Sequence, residues 1–161
     1  MITRNLHNYF IMHLLDDYVE FKTRSGSIVG LNVYGGNWFQ YNYNLSASFT
    51  SQDSASRFCR TIRLGTGTTE PTYDDYELQQ MIDAAPKTIT PGRSGGYSNN
   101  YDIIAATFLN ETDSDWIVTE VGQYLATSNS DSGAALLLAR EVFDPVTVKP
   151  GQTFSVSMKL F

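Results

Sequence analysis

Residues 116–126, WIVTEVGQYLA, and residues 135–143, ALLLAREVF, decide the fold. Both are proline-free runs of aliphatic, β-branched and aromatic residues. Between them residues 127–133, TSNSDSG, carry the chemistry of a turn. The spacing predicts an antiparallel hairpin centred on Ser130. Glu120 then stands opposite Arg140, Gly122 opposite Leu138, Tyr124 opposite Leu136 and Val118 opposite Val142. The only two charges on that face would meet across the strands. Such a pair contributes about 0.2–1 kcal/mol when exposed. If it is buried, removing one partner costs about 3–5 kcal/mol.

The pattern continues outward from this hairpin. Residues 101–109 and 58–64 read as further strands. The segment 153–161 places Phe154, Val156, Met158 and Leu160 on one face, with Ser155, Ser157 and Lys159 on the other. Residues 28–34 form another run, closed by Gly35-Gly36. The odd positions from Phe39 to Phe49 alternate with polar ones, and these two runs make a plausible hairpin. Gly65, Gly67 and Pro71 mark a turn over 65–73, and Pro150 with Gly151 marks another. Residues 74–82 read as a short helical turn or an extended edge. Residues 86–100, with Pro91-Gly92 and Gly95-Gly96, read as an exposed loop.

Only the start of the chain has helical spacing. Ile2, Leu6, Phe10 and Leu14 form one apolar stripe, with Tyr9 filling in. Thr3 or Asn5 could cap the helix, and Asp16 and Asp17 would end it, because acidic side chains are unfavourable at the negative end of the helix dipole. Strands with short turns and no helix between them predict a mainly β fold: an antiparallel β-sandwich or jelly-roll-like barrel with a short N-terminal helix. The expected organisation is one domain over 1–161. Residues 1–18 form a helical segment able to serve as an anchor, and 27–161 form the β-domain.

Composition narrows the function. A chain of 161 residues, 42% hydrophobic and 17% charged, can bury a core. Its net charge of −6 argues against a nucleic-acid binder, which needs a basic face to neutralise phosphates. No apolar run has the length of a membrane span. The first residues lack the features of a secretory signal, so synthesis without export is expected. One cysteine, Cys59, excludes an internal disulfide and a multi-cysteine zinc site.

Few side chains suggest reaction chemistry. His7 and His13 lie six positions apart and point to different faces of one helix. Cys59 has arginines nearby in sequence but no histidine, and reads as a buried thiol. The 65–69 stretch, GTGTT, lacks the lysine of a phosphate-binding loop. The serine in 92–96, GRSGG, lacks the strand–turn–helix frame of a nucleophile elbow. The carboxylates Asp74, Asp75 and Glu77, and Glu111, Asp113 and Asp115, fit no calcium-loop pattern and read as solvated turns. Asn44 and Asn110 begin glycosylation sequons, which have no role without export. No catalytic, cofactor or metal site is expected. Leu6, Phe10 and Leu14 on the helix, with the aromatics Trp38, Tyr97 and Tyr101, are candidates for a docking surface.

Two groups of motifs resemble a known family. The first is 64–71, LGTGTTEP, followed by 74–78, DDYEL. The second is 119–124, TEVGQY, followed by 137–140, LLAR, and 145–151, PVTVKPG. In this order they resemble small β-structured virion proteins of tailed bacteriophages: capsid-decoration, head-fibre and tail-fibre-type proteins. The resemblance spans most of the chain from Arg63 onward. Gln123 departs from it, since the family usually has an apolar residue there, and a more solvated outer face of that strand is expected. The resemblance implies a non-enzymatic structural part of the virion without cofactors, with capsid decoration or cementing placed first. Neck, tail or tail-fibre positions, or a host-glycan receptor-binding module, are the alternatives. The implied partners are other virion proteins (major capsid, neck or tail) and further copies of the chain, with no nucleic acid or membrane. The implied location is the virion, after synthesis in the bacterial cytoplasm.

Overall fold

The computed structural model describes residues 1–15, 19–31, 59–94, 101–126 and 135–159. The fold is mainly β, with antiparallel sheets and one short N-terminal helix. Helix α1 (Arg4–Leu15) is followed by β1 (Val19–Lys22), β2 (Ile28–Leu31), β3 (Cys59–Gly65), β4 (Thr88–Ser94), β5 (Tyr101–Leu109), β6 (Trp116–Ala126), β7 (Leu136–Val148) and β8 (Thr153–Lys159). β1 and β2 form a hairpin. One three-stranded sheet has the order β3-β6-β7 and another the order β4-β5-β8.

The two larger sheets share one core in a sandwich-like arrangement. Ile62, Leu64, Val118, Val121, Leu125, Leu136 and Leu138 from the first meet Ile104, Ala106, Phe108 and Met158 from the second. On β8 the expected alternation holds: Phe154, Val156 and Met158 face inward, while Ser155, Ser157 and Lys159 are exposed. The turn at Pro150-Gly151 joins β7 to β8. Gly151 there has φ +76°, a conformation that side-chain-bearing residues adopt only with strain.

The β6–β7 register departs from the simple hairpin. Gly122, not Glu120, stands opposite Arg140; Glu120 faces Val142, Tyr124 faces Leu137 instead of Leu136, and Val118 faces Val146 instead of Val142. Irregularities between Val118 and Glu120 and between Gln123 and Tyr124 absorb extra residues on β7. The displacement is by two residues at Glu120, so Glu120 and Arg140 keep a common face and meet diagonally. β7 also runs on through Pro145 to Val148, beyond the expected end at 143.

Other expectations are corrected. Gly65 ends strand β3 instead of opening a turn, and residues 74–82 form neither a helical turn nor a strand, meeting β3 at a bridge from Met81 to Gly65. Thr88–Ser94 is strand β4, not loop, with Pro91 opposite Ile104. β2 pairs with β1, a strand the sequence pattern did not reveal. The proposed partner run at 39–49 lies outside the described residues. The apolar β-body therefore begins at Val19, before residue 27.

At the N-terminus, Ile2 precedes the helix and bridges to Ala139 on β7. Neither predicted cap serves as one. The Thr3 hydroxyl donates to the carbonyls of Leu137 and Leu138 at 2.6 and 3.1 Å. Asn5 uses both ends of its amide on the backbone of Lys22. The chain start is thus stitched to strands, which outcompete the helix's own unpaired amides for these side chains. Arg4 N–H, one of those amides, donates instead to Tyr73 O at 2.7 Å.

Candidate functional site

Residues from four of the five motifs, 64–71, 74–78, 119–124 and 137–140, meet at one buried point, while 145–151 forms the end of β7 and the turn after it. Glu120, on the outer face of β6, has no solvent exposure. Its Oε1 accepts from the backbone amides of Gly67 (3.0 Å) and Gln80 (2.9 Å), and its Oε2 from the amide of Gln79 (3.2 Å) and from Arg140 Nε (2.9 Å). Arg140, on β7 and 1% exposed, also donates from Nη1 to Asp75 Oδ2 at 2.8 Å and from Nη2 to Thr69 O at 3.0 Å. Every charge in this cluster has a counter-charge and directed hydrogen bonds, which is what a buried ion pair requires. The expected Glu120–Arg140 pair is therefore formed, with Asp75 as a third member.

The cluster fastens residues 67–80 onto the outer face of the β3–β6–β7 sheet. The glycines allow the approach. A Cβ on Gly67 would lie 2.6 Å from Glu120 Oε1, and one on Gly65 would collide with the same carboxylate and with Gln80 O. A Cβ on Gly122 would lie 2.8 Å from Leu78 Cδ2. These glycines are required for close contact and not for unusual backbone angles. Leu78 and Met81 then cover Tyr124, Ala135 and Leu137, a second small apolar cluster. Leu78 N–H donates to the Tyr124 hydroxyl at 2.8 Å, and the Thr119 hydroxyl donates to Gly67 O at 2.9 Å.

Electrostatics follow from this packing. Partial burial pushes the Asp75 carboxyl up, but the Thr72 amide and the Arg140 guanidinium outweigh it, so the group sits below the usual aspartate range. Burial opposes the charge on Arg140 as well, and the hydrogen bonds to Asp75 and Glu120 overcome it and raise its pKa. Burial of the Tyr124 hydroxyl raises its pKa far above the ordinary value, despite the Leu78 amide it accepts from.

Next to this cluster a groove of about 500 Å³ runs between α1, β1 and residues 74–76. Its polar walls are engaged within the chain. Arg4 pairs with Asp74 (Nε–Oδ1 2.7 Å), Asn8 donates to Glu20 O at 2.6 Å, and the Lys22 ammonium sits 3.7 Å from the Tyr76 ring centre. His7 packs edge-on against Tyr73. Among the described residues no group of three or more His, Cys, Asp or Glu could hold a metal ion, and no helix is long and apolar enough to cross a membrane.

The docking candidates separate. Leu6 is fully buried in the chain's own core, so it is a core side chain and not an exposed anchor. The backbones of Phe10, Leu14 and Tyr101 lie in α1 and at the start of β5. Trp38 and Tyr97 lie outside the described residues. Gln123 is not on a solvated face: it has no exposure, it shares the core-facing side with Val121 and Leu125, and neither end of its amide has a hydrogen-bond partner. Asn110 is also buried. Its Nδ2 donates to Ser114 O and Val148 O, both at 2.8 Å, and its Oδ1 accepts from the amide and hydroxyl of Thr112. Sequence reasoning missed its structural role, although an asparagine two residues before a threonine in a turn is the pattern of such a loop.

Compared with known protein families, with characterised proteins and with solved structures, the chain matches none of them.

Proposed function

We propose that this chain is a non-enzymatic structural protein of a tailed-bacteriophage particle, decorating or cementing its capsid. The observation that carries this reading is the convergence of the resembling motifs. GTGTT supplies the Gly67 amide, DDY supplies Asp75, EVG supplies Glu120 and Gly122, and LLAR supplies Arg140. Segments far apart in sequence form one interlocked unit. A set of motifs with one shared structural purpose supports a resemblance of folds better than scattered matches would. The polar groups of that unit are spent on holding the backbone, which suits a part that binds and endures. Many copies on a symmetric shell gain avidity from modest individual contacts.

The test is the copy number per purified particle, by quantitative mass spectrometry against the major capsid protein. Hundreds of copies are expected for a shell position. A few to a few dozen would overturn the capsid assignment in favour of the neck, tail or fibre. Absence from particles would overturn the virion reading itself.

A further inference from the structure

We propose that residues 67–80 form an Ω-loop that opens as one unit from the intact β-sandwich, with Glu120 and Arg140 as its latch. The base of the loop is closed on β3: Thr66 N–H donates to Gln80 O at 2.8 Å and Ile82 N–H to Leu64 O at 2.9 Å. Chain ends brought together over a compact surface loop define this class. The loop is also cross-braced by itself, with Thr72 bonded to Asp75 and the Thr69 amide to Gln79 Oε1. It can therefore move without losing its own shape.

What holds it down is local. Its amides at Gly67, Gln79 and Gln80 and its acceptors at Thr69 and Asp75 all converge on two side chains, Glu120 and Arg140. The apolar contacts beneath it belong to the small Leu78–Tyr124–Ala135–Leu137 cluster, while the large core lies on the other face of the sheet. Lifting the loop therefore leaves the main core buried. It also admits water to an ion pair that stays paired, so solvation replaces the lost amide bonds. The outer contacts of the loop are few: the Arg4–Asp74 pair, more than half exposed on both sides and weak, one backbone bond from Arg4 N–H to Tyr73 O, and the Lys22 ammonium over the Tyr76 ring. Opening uncovers Tyr124 and Leu137 and releases the loop's hold on the start of α1 through Tyr73 O. Elements with few buried apolar contacts of their own open below the global unfolding free energy.

Native-state hydrogen exchange on the full chain, followed through a series of low denaturant concentrations, tests this. The amides of Gly67, Leu78, Gln79 and Gln80 are expected to exchange together, about tenfold or more faster than the paired amides of Val121 and Leu125, and with a weaker denaturant dependence. The core variant Ile62→Val should accelerate the β6 amides about fivefold and leave the loop amides unchanged, because the open state keeps the main core. The proposal is overturned if loop and β6 amides share one exchange rate and one denaturant slope, or if Ile62→Val accelerates both alike. The wild-type measurement decides the question by itself should the variant fail to fold.

Discussion

Replacing Arg140 by alanine removes the one cation in a buried cluster. The guanidinium is 1% exposed and makes three directed bonds, to Glu120, Asp75 and Thr69 O, at 2.8–3.0 Å. After the change Glu120 keeps three amide donors but no counter-charge, at a position with no access to water. Breaking a buried pair from one side costs about 3–5 kcal/mol. For a domain of this size that corresponds to a fall in Tm of about 6–20 °C. The comparison is Lys87→Ala, which removes an exposed pair with Glu111 whose side chains are 46% and 62% accessible; about 0–1 kcal/mol is expected. Urea denaturation should show the midpoint moving while the slope is kept. If the loss comes from the stranded carboxylate, adding Glu120→Gln to the Arg140→Ala protein recovers part of it. Equal midpoints for Arg140→Ala and Lys87→Ala would refute the reasoning.

Three further outcomes follow from the same packing. Gln123→Met removes a buried amide without hydrogen-bond partners and should stabilise the fold by about 1–3 kcal/mol in urea titration. Gly67→Ala should cost about 1–3 kcal/mol or more through collision with Glu120 and Gln79, whereas Gly151→Ala, with nothing near its Cβ, should cost about 1 kcal/mol from backbone strain alone; thermal melts rank the two. Stability should fall at both ends of the pH scale. Asp75, lowered in the fold, contributes above its unfolded value of 3.8 and loses that contribution as pH drops through the folded value. Tyr124, raised in the fold, contributes fully below about pH 10 and loses ground above it, as the unfolded tyrosine ionises first. Melts across pH should show the acid loss removed by Asp75→Asn and the alkaline loss reduced by Tyr124→Phe.

Strands with clean patterns were legible in the sequence. β6 and β5 occupy the expected spans, and the alternation of 154, 156 and 158 against 155, 157 and 159 placed β8 correctly. One strand was missed and another was cut short, both where proline occurs: Thr88–Ser94 was read as loop, and β7 runs five residues beyond 143. Pro91 and Pro145 lie in β4 and β7, each at one end of its sheet's order among the described strands, where only one side of the strand is paired and proline is tolerated. The Glu120–Arg140 pair was found by face, although its register was not, because a bulge leaves no mark in a run such as LLLAR. The loop that completes the cluster was invisible for a different reason. Glu120 recognises backbone amides, which every residue carries, so only Gly65, Gly67 and Gly122 hinted at the close contact. Gln123 was misjudged because its polarity, where the resemblance implies an apolar residue, was read as solvent exposure, whereas the amide is buried beside Val121 and Leu125.

The burial of Asn110 has a practical consequence for anyone producing this protein. The 110–112 tripeptide, NET, is read by the oligosaccharide-transferring machinery of a eukaryotic secretory pathway while the chain is still unfolded. A sugar added there would occupy the nitrogen that holds the Ser114 and Val148 carbonyls, and the turn between β5 and β6 could not close. Secretion from yeast or mammalian cells is therefore expected to yield retained, misfolded material, while expression in a bacterial cytoplasm leaves the tripeptide unmodified.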